Sequence, residues 1–180
     1  MKGYNYDELD DLPHALMSYL HALKILEKTS DKSLRARHID VLHDIGNIFG
    51  KSYKYTNAIA YYDRGLELAT NEDDQSRMLM LMYSKAYDLL QLKRTTESIE
   101  LLKDACNLSN RYADTTMLLK CFNLLGVIHK ENSFFTAARE YYQYILESPS
   151  ATARDRARAL HNTAVAYLKL ENIGLSKFFL

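Results

Sequence analysis

Apolar residues recur three and four positions apart along most of the chain, the spacing that lines one face of an α-helix. Ile39, Leu42, Ile45, Gly46 and Phe49 make one such stripe. Ala58, Tyr61, Tyr62, Gly65, Leu66 and Ala69 make the next. Each stripe predicts a helix of about 16–20 residues. Polar stretches separate groups of stripes: TSDKS at 29–33, TNEDDQS at 70–76 and SPSAT at 148–152. Pro13, following Asp10 and Asp11, suits the first turn of a helix, and Pro149 suits the end of one.

The stripes also repeat. NAIAYYDRGLEL at 57–68 returns as TAAREYYQYILE at 136–147, with Ala58 and Tyr61-Tyr62 matched by Ala138 and Tyr141-Tyr142 after 80 positions. A small residue and an aromatic precede each phrase: Gly46 and Phe49, then Gly126 and His129. Ala86, Leu89, Ser98, Leu102 and Ala105 form a degraded copy half-way between. Gly3, Tyr6, Ala15, Tyr19 and Ala22 fit upstream, and Ala164, Tyr167, Ser176 and Leu180 fit downstream. Successive copies are 43, 40, 40 and 38 residues apart. Small residues on facing sides let two antiparallel helices approach closely while the aromatics fill the space beside them. Neither helix buries its stripe alone, so successive hairpins must stack. In the middle copy Lys85 stands beside Ala86, where its stem is expected to pack while its ammonium reaches water.

This pattern resembles the tetratricopeptide repeat (TPR), whose unit pairs a small residue and an aromatic in helix A with A-x3-F in helix B. The spacing exceeds that family's 34 residues by about a turn per helix, which is similar to the long repeats of kinesin light chains and bacterial TPR regulators and sensors. The resemblance implies an all-α, right-handed α-solenoid of antiparallel helix hairpins, a TPR-like superhelix. The expected units are a partial repeat at 1–30, repeats at 33–70, 75–110 and 114–148, and a partial repeat at 152–180. The last unit stops in mid helix B with Leu175, Phe178, Phe179 and Leu180. The expectation is therefore a fragment of a longer protein, with exposed ends able to self-associate.

Composition narrows the function. Lys plus Arg and Asp plus Glu both number 23, for a formal net charge of zero, which argues against direct, non-specific nucleic-acid binding. Residues 1–31 carry three Lys against six acids, and residues 151–180 carry five Lys or Arg against two acids. Two prolines and six glycines suit helices better than a turn-rich β fold. The 14 tyrosines, against no tryptophan, are accounted for in large part by the repeat. The chain has no apolar run long enough to span a membrane and no signal-peptide h-region at its start, so a cytoplasmic location without membrane association is expected.

Motifs that carry chemistry are weak. GNIFGKS at 46–52 has one spacer too few for a phosphate-binding loop and follows a helical pattern rather than a strand. The six histidines show no metal-ligand spacing, and no nucleophile motif is present. His129 takes an aromatic position of the repeat and reads as a partly buried core residue. Cys106 and Cys121 read as buried reduced thiols rather than a disulfide. The acidic run of Asp7, Glu8, Asp10 and Asp11 reads as a solvated corner. No cofactor, metal or catalytic residue is expected.

By the family resemblance, the free stripe of each helix A lines a concave groove for a protein or peptide ligand. That face receives Asp40, His43 and Asn47 from the first complete unit and Met80, Tyr83 and Tyr87 from the second. Lys120, Asn123 and Lys130 follow from the third, and Arg158, His161 and Asn162 from the last. Asparagines can pair with a peptide backbone, and tyrosines can cover its apolar side chains. A carboxylate clamp for chaperone tails is disfavoured, because His43 stands where its first helix would have Lys and Leu124 where its later basic pair would continue. The expectation is thus a non-enzymatic binding module, the sensor or interaction part of a bacterial regulator. The alternatives are an assembly scaffold, or the helical accessory domain of an enzyme such as a phosphatase or transferase.

Overall fold

The computed structural model describes residues 12–178, with side chains described as far as residue 170. Gly3, Tyr6, the acidic run at 7–11, Phe179 and Leu180 lie outside the described residues, as do the side chains of Leu175, Ser176 and Phe178. Eight α-helices and one short 3-10 turn make up the described residues, without a strand. They are α1 (Leu12–Leu26), α2 (Arg35–Lys51), α3 (Tyr55–Asn71), α4 (Gln75–Gln91), α5 (Thr95–Arg111), α6 (Thr115–Glu131), α7 (Phe135–Glu147) and α8 (Ala153–Phe178). The chain divides into two compact units, Met1–Arg94 and Thr95–Leu180. In the first, α1 packs on α2, α2 on α3 and α3 on α4, and α2 also meets α4. In the second, α5 packs on α6, α6 on α7 and α7 on α8, and α6 also meets α8.

Helices α2 to α6 are each 17 residues long, and three residues join each to the next. The middle residue of every one of these turns has positive φ: Tyr53, Asp73, Lys93, Ala113 and Ser133. At each, the N–H of that residue reaches the carbonyl three back, and the next N–H reaches the carbonyl five back, as in Tyr53 to Gly50 and Lys54 to Phe49. This is the Schellman closure, which satisfies the last carbonyls of a helix. The following residue then stands at the N-cap of the next helix, and at Asp74 and Asp114 its carboxylate accepts from the N–H three residues on. The turns therefore recur every 20 residues without a glycine.

The repeat copies pack alike. In the first unit a β-carbon placed on Gly46 would lie 2.3 Å from the Tyr62 ring, and in the second one on Gly126 would lie 2.5 Å from the Tyr142 ring. Only glycine lets the ring rest on the helix backbone here. The preceding tyrosines turn to the other side. Tyr61 stacks on Phe49 with ring centroids 5.4 Å apart and planes at 17°, and Tyr141 stacks on His129 at 5.4 Å and 16°. The doubled tyrosine thus serves two contacts, one inward over glycine and one along the neighbouring helix. Around these pairs, Ile39, Ala58, Tyr62, Ala69 and Leu81 form a core cluster in the first unit, beside another of Leu23, Leu26, Val41, Leu42 and Ile45. Leu119, Ala138, Tyr142, Ile145 and Ala159 form the cluster of the second.

Two elements depart from the 20-residue beat. Helix α7 has 13 residues and ends at Glu147, two before Pro149. The Arg156 guanidinium donates to the carbonyls of Leu146, Ser148 and Ala151, satisfying groups that the shortened helix leaves open. Thr152 and Asp155 then form a reciprocal capping box at the start of α8. The sequence pattern expects a turn before a second helix carrying Ser176, but α8 runs unbroken from Ala153 to Phe178. The position 40 residues after Ser133 is Ile173, and a β-branched side chain opposes the positive φ that the turn requires.

Candidate functional site

Helices α2 and α4 bring the expected residues of the first unit together, but many of their polar groups are already engaged. Arg77 donates to both carboxylate oxygens of Asp40, at 2.7 and 3.0 Å, and also to Asp74 at 2.7 Å. His43 Nε2 lies 2.9 Å from the Ser84 hydroxyl of α4, and its Nδ1 lies 3.2 Å from Asn47 Nδ2. The Tyr62 hydroxyl donates to Asn47 Oδ1 at 2.9 Å. Burial pushes the His43 imidazole below its ordinary pKa, against the pull of Asp44 and Asp40. A chain of four side chains thus ties α2, α3 and α4 together, so the Asn47 amide holds its own fold as well as facing outward.

Beside this chain lies a cavity of about 650 Å³, bounded by α1 to α4 and the turn after α2. Its wall contains six tyrosines, Tyr19, Tyr53, Tyr55, Tyr62, Tyr83 and Tyr87. Tyr53 is 81% exposed and Tyr87 49% exposed, which places them at the mouth. Tyr53 and Tyr55 meet edge to face, with centroids 6.2 Å apart. Asp44, on the same wall, raises the pKa of the Tyr19 phenol by its charge. Asp88, from α4, is only 4% exposed, and its Oδ2 has no hydrogen-bond partner among the described residues. Burial raises the Asp88 carboxyl to a pKa of about 6. A β-carbon on Gly50 would lie 2.9 Å from Oδ2, so glycine at that position leaves the carboxylate its room.

Asp88 is the residue that the sequence reading missed, and a signal for it was present. Ile48 and Ile128, 40 residues to either side, occupy the same register and are buried. An acid in a core column of an apolar repeat is the anomaly. Tyr53 and Tyr55 were missed because one lies within a turn and the other opens the next helix, where the helical pattern assigns no face.

In the second unit, Lys120, Asn123 and Lys130 lie on α6, and Arg158, His161 and Asn162 lie on α8. Lys130 Nζ donates to Asn162 Oδ1 at 3.0 Å, joining the two sets, and Arg158 pairs with Asp155. Lys120 and His161 are exposed, and Asn162 is buried. The position 80 residues after Asn47 is Val127, so Tyr142 lacks the acceptor that Tyr62 has. Its hydroxyl and Asn123 Oδ1 have no hydrogen-bond partner among the described residues.

Other expected features also have places. GNIFGKS is helical to Lys51, so it offers no phosphate-cradling loop. Lys85 is partly buried and reaches Asp63 of α3. Cys106 and Cys121 are free, buried and within hydrogen-bonding reach of each other, and that contact together with burial raises the Cys121 thiol. Among the described residues no group of His, Cys, Asp and Glu is arranged to hold a metal, and no helix is long and apolar enough to cross a membrane.

Residues 39–72, which hold most of α2 and all of α3, match the tetratricopeptide repeat family. No curated protein matches the chain significantly. Among solved structures, BtubC (BKLC) from P. vanneervenii superposes with a TM-score of 0.78 at 13% identity, over 89% of this chain and 67% of that one. A signal transduction ATPase with numerous domains (STAND), with a tetratricopeptide repeat sensor, from Pyrococcus horikoshii gives 0.72 at 18% identity. That match covers 93% of this chain but only 27% of the other, so this chain spans about a quarter of that protein's length. At these identities the likeness is one of fold: an all-α, TPR-like solenoid of helix hairpins. The match of one unit in sequence and of almost the whole chain in fold point the same way, to a tetratricopeptide-like repeat fold.

Proposed function

We propose that the chain binds a peptide or protein segment through the free face of its A helices, as a non-catalytic module within a bacterial regulatory or sensor protein in the cytoplasm. TPR repeats are protein-interaction scaffolds, and the similarity to a STAND protein with a TPR sensor favours the regulatory setting. The observation that carries the reading is the tyrosine-walled cavity, whose lining includes Asn47, Tyr83 and Tyr87 of the residues expected to bind. Its volume lies within the range of roughly 300–1,000 Å³ usual for ligand pockets. Asp40, His43, Asn47, Met80, Tyr83 and Tyr87 are the proposed binding residues of the first unit, and Lys120, Asn123, Lys130, Arg158, His161 and Asn162 those of the second. The units at 33–70, 75–110 and 114–148, with partial units at either side, are its proposed domain plan.

An array of immobilised peptides, followed by calorimetric titration of the hits, tests this. A hit should lose affinity on Tyr83→Ala or Asn123→Ala while circular dichroism stays unchanged. Hits indifferent to every substitution on this face would transfer the function to the other surfaces, as an assembly scaffold requires.

A further inference from the structure

The structure assigns the α1–α4 cavity as the receptor for one basic side chain, arginine or lysine, of a bound peptide, with Asp88 as its counter-ion and tyrosine rings as its walls. This deepens the peptide-binding reading above and rests on it. Asp88 occupies a register that holds isoleucine in the neighbouring copies, is almost fully buried, lines the cavity, and carries an oxygen without a hydrogen-bond partner among the described residues. A buried carboxylate is ordinarily paired with a cation or fully hydrogen-bonded, and burial is the cause of its raised pKa, without a cationic group among the described residues acting on it. Asp44 adds a second carboxylate to the wall. Lys51 is the one basic group among the described lining residues, and it is exposed.

The walls match the rest of such a ligand. An arginine or lysine is an apolar stem with a cationic head, and both parts sit well against tyrosine faces. Tyr53 and Tyr87 at the mouth receive the stem, while Tyr55 and Tyr62 flank the path to Asp88. A bare metal ion would need several hard ligands converging on one point, and Asp88 has no such company among the described residues.

Protonation supports the same site. Burial raises the Asp88 carboxyl to a pKa of about 6, so its charge changes between pH 5 and 7. Binding of a cation should therefore strengthen about tenfold from pH 5 to pH 7, as the ionised fraction of Asp88 rises from about 0.09 to about 0.91. His43, behind Asn47 and Ser84, also loses its charge on the acid side of 6.5, so the pH profile must be compared with a variant at Asp88.

The test uses the full chain and the peptides acetyl-Gly-Gly-Xaa-Gly-Gly-amide, with Xaa as arginine, lysine, citrulline or glutamate. Binding is read from tyrosine ring signals in NMR titrations. The arginine and lysine peptides should bind at least about tenfold more tightly than the citrulline and glutamate peptides. Asp88→Asn should remove that preference, and the tenfold pH dependence with it. Citrulline binding as well as arginine, or Asp88→Asn leaving the preference intact, would overturn the assignment. Agmatine binding as tightly as the arginine peptide would overturn its peptide part in favour of a small amine. Array peptides that depend on Tyr83 or Asn123 but not on Asp88 or on any basic residue would sink this assignment and leave the broader peptide-binding reading standing.

Discussion

Replacing Asp88 by asparagine should make the protein more stable at neutral pH and leave it nearly unchanged in acid. The amide keeps the shape of the carboxyl and carries no charge to bury. In the folded chain the Asp88 carboxyl has a pKa of about 6, against an ordinary 3.8, because burial disfavours its ionised form. A raised carboxyl pKa means that the native state holds its proton while the unfolded state has already lost it. Stability from this group is therefore full below about pH 4, declines as pH rises toward 6, and stays low above that. A difference of about 2 pKa units corresponds to roughly 3 kcal/mol, the upper limit of what the ionised Asp88 withholds at pH 7.5. Urea unfolding followed by circular dichroism at 222 nm, from pH 4 to 8, gives the parent and variant curves. Their difference should widen from near zero at pH 4 to about 1–3 kcal/mol at pH 7.5, the parent being the less stable. Subtracting the curves removes the histidines, whose lowered pKa values act on both proteins alike. A difference that is flat across this range, or a variant less stable at pH 7.5, would refute the reading of Asp88 as a buried, unpaired acid.

The remaining tests concern the repeat itself. Gly46→Leu and Gly126→Leu should each lower stability by at least about 1–3 kcal/mol in urea melts, because even a β-carbon intrudes on the tyrosine ring at both sites. Tyr62→Phe should cost about 1 kcal/mol through the lost bond to Asn47, whereas Tyr142→Phe should be neutral or stabilising, since its hydroxyl is buried without a partner. Equal costs in thermal melts would contradict that assignment. Ala113→Gly should raise stability by up to about 1 kcal/mol and Ala113→Val should lower it by about 1–2 kcal/mol, the order that a φ of 56° demands.

Helix type and pairing were legible because the small-plus-aromatic phrase encodes a contact. Gly46 with Tyr62 and Gly126 with Tyr142 are close neighbours in the structure and recognisable partners in the sequence. Even the substitution of His129 for Phe49 kept its meaning, since imidazole stacks on Tyr141 much as phenyl does on Tyr61. The turns were less legible. A positive φ met by Tyr, Asp, Lys, Ala and Ser leaves no compositional mark, and glycine, the usual sign, is absent from all five places. The candidate site was half legible: the pattern puts His43, Asn47, Tyr83 and Tyr87 on the exposed stripes, but not the bonds that already engage His43 and Asn47. Asp88 required comparison of columns 40 residues apart, because on its own it is one acid in a helix.

The evenly spaced left-handed turns bear on how such a chain can change over generations. The residue after each of them stands at the start of the next helix while its N–H closes the previous one, so each junction is self-contained within about six residues. Duplicating or excising a 40-residue cassette between two such junctions joins equivalent backbone to equivalent backbone, with helix ends and starts still matched. An insertion of one or two residues inside a 17-residue helix has no such refuge, because it rotates every later side chain by about 100° per residue against its neighbours. Variation in length should therefore arrive in whole modules, and variation in specificity by single substitutions within a column, as where aspartate stands in a column of isoleucine.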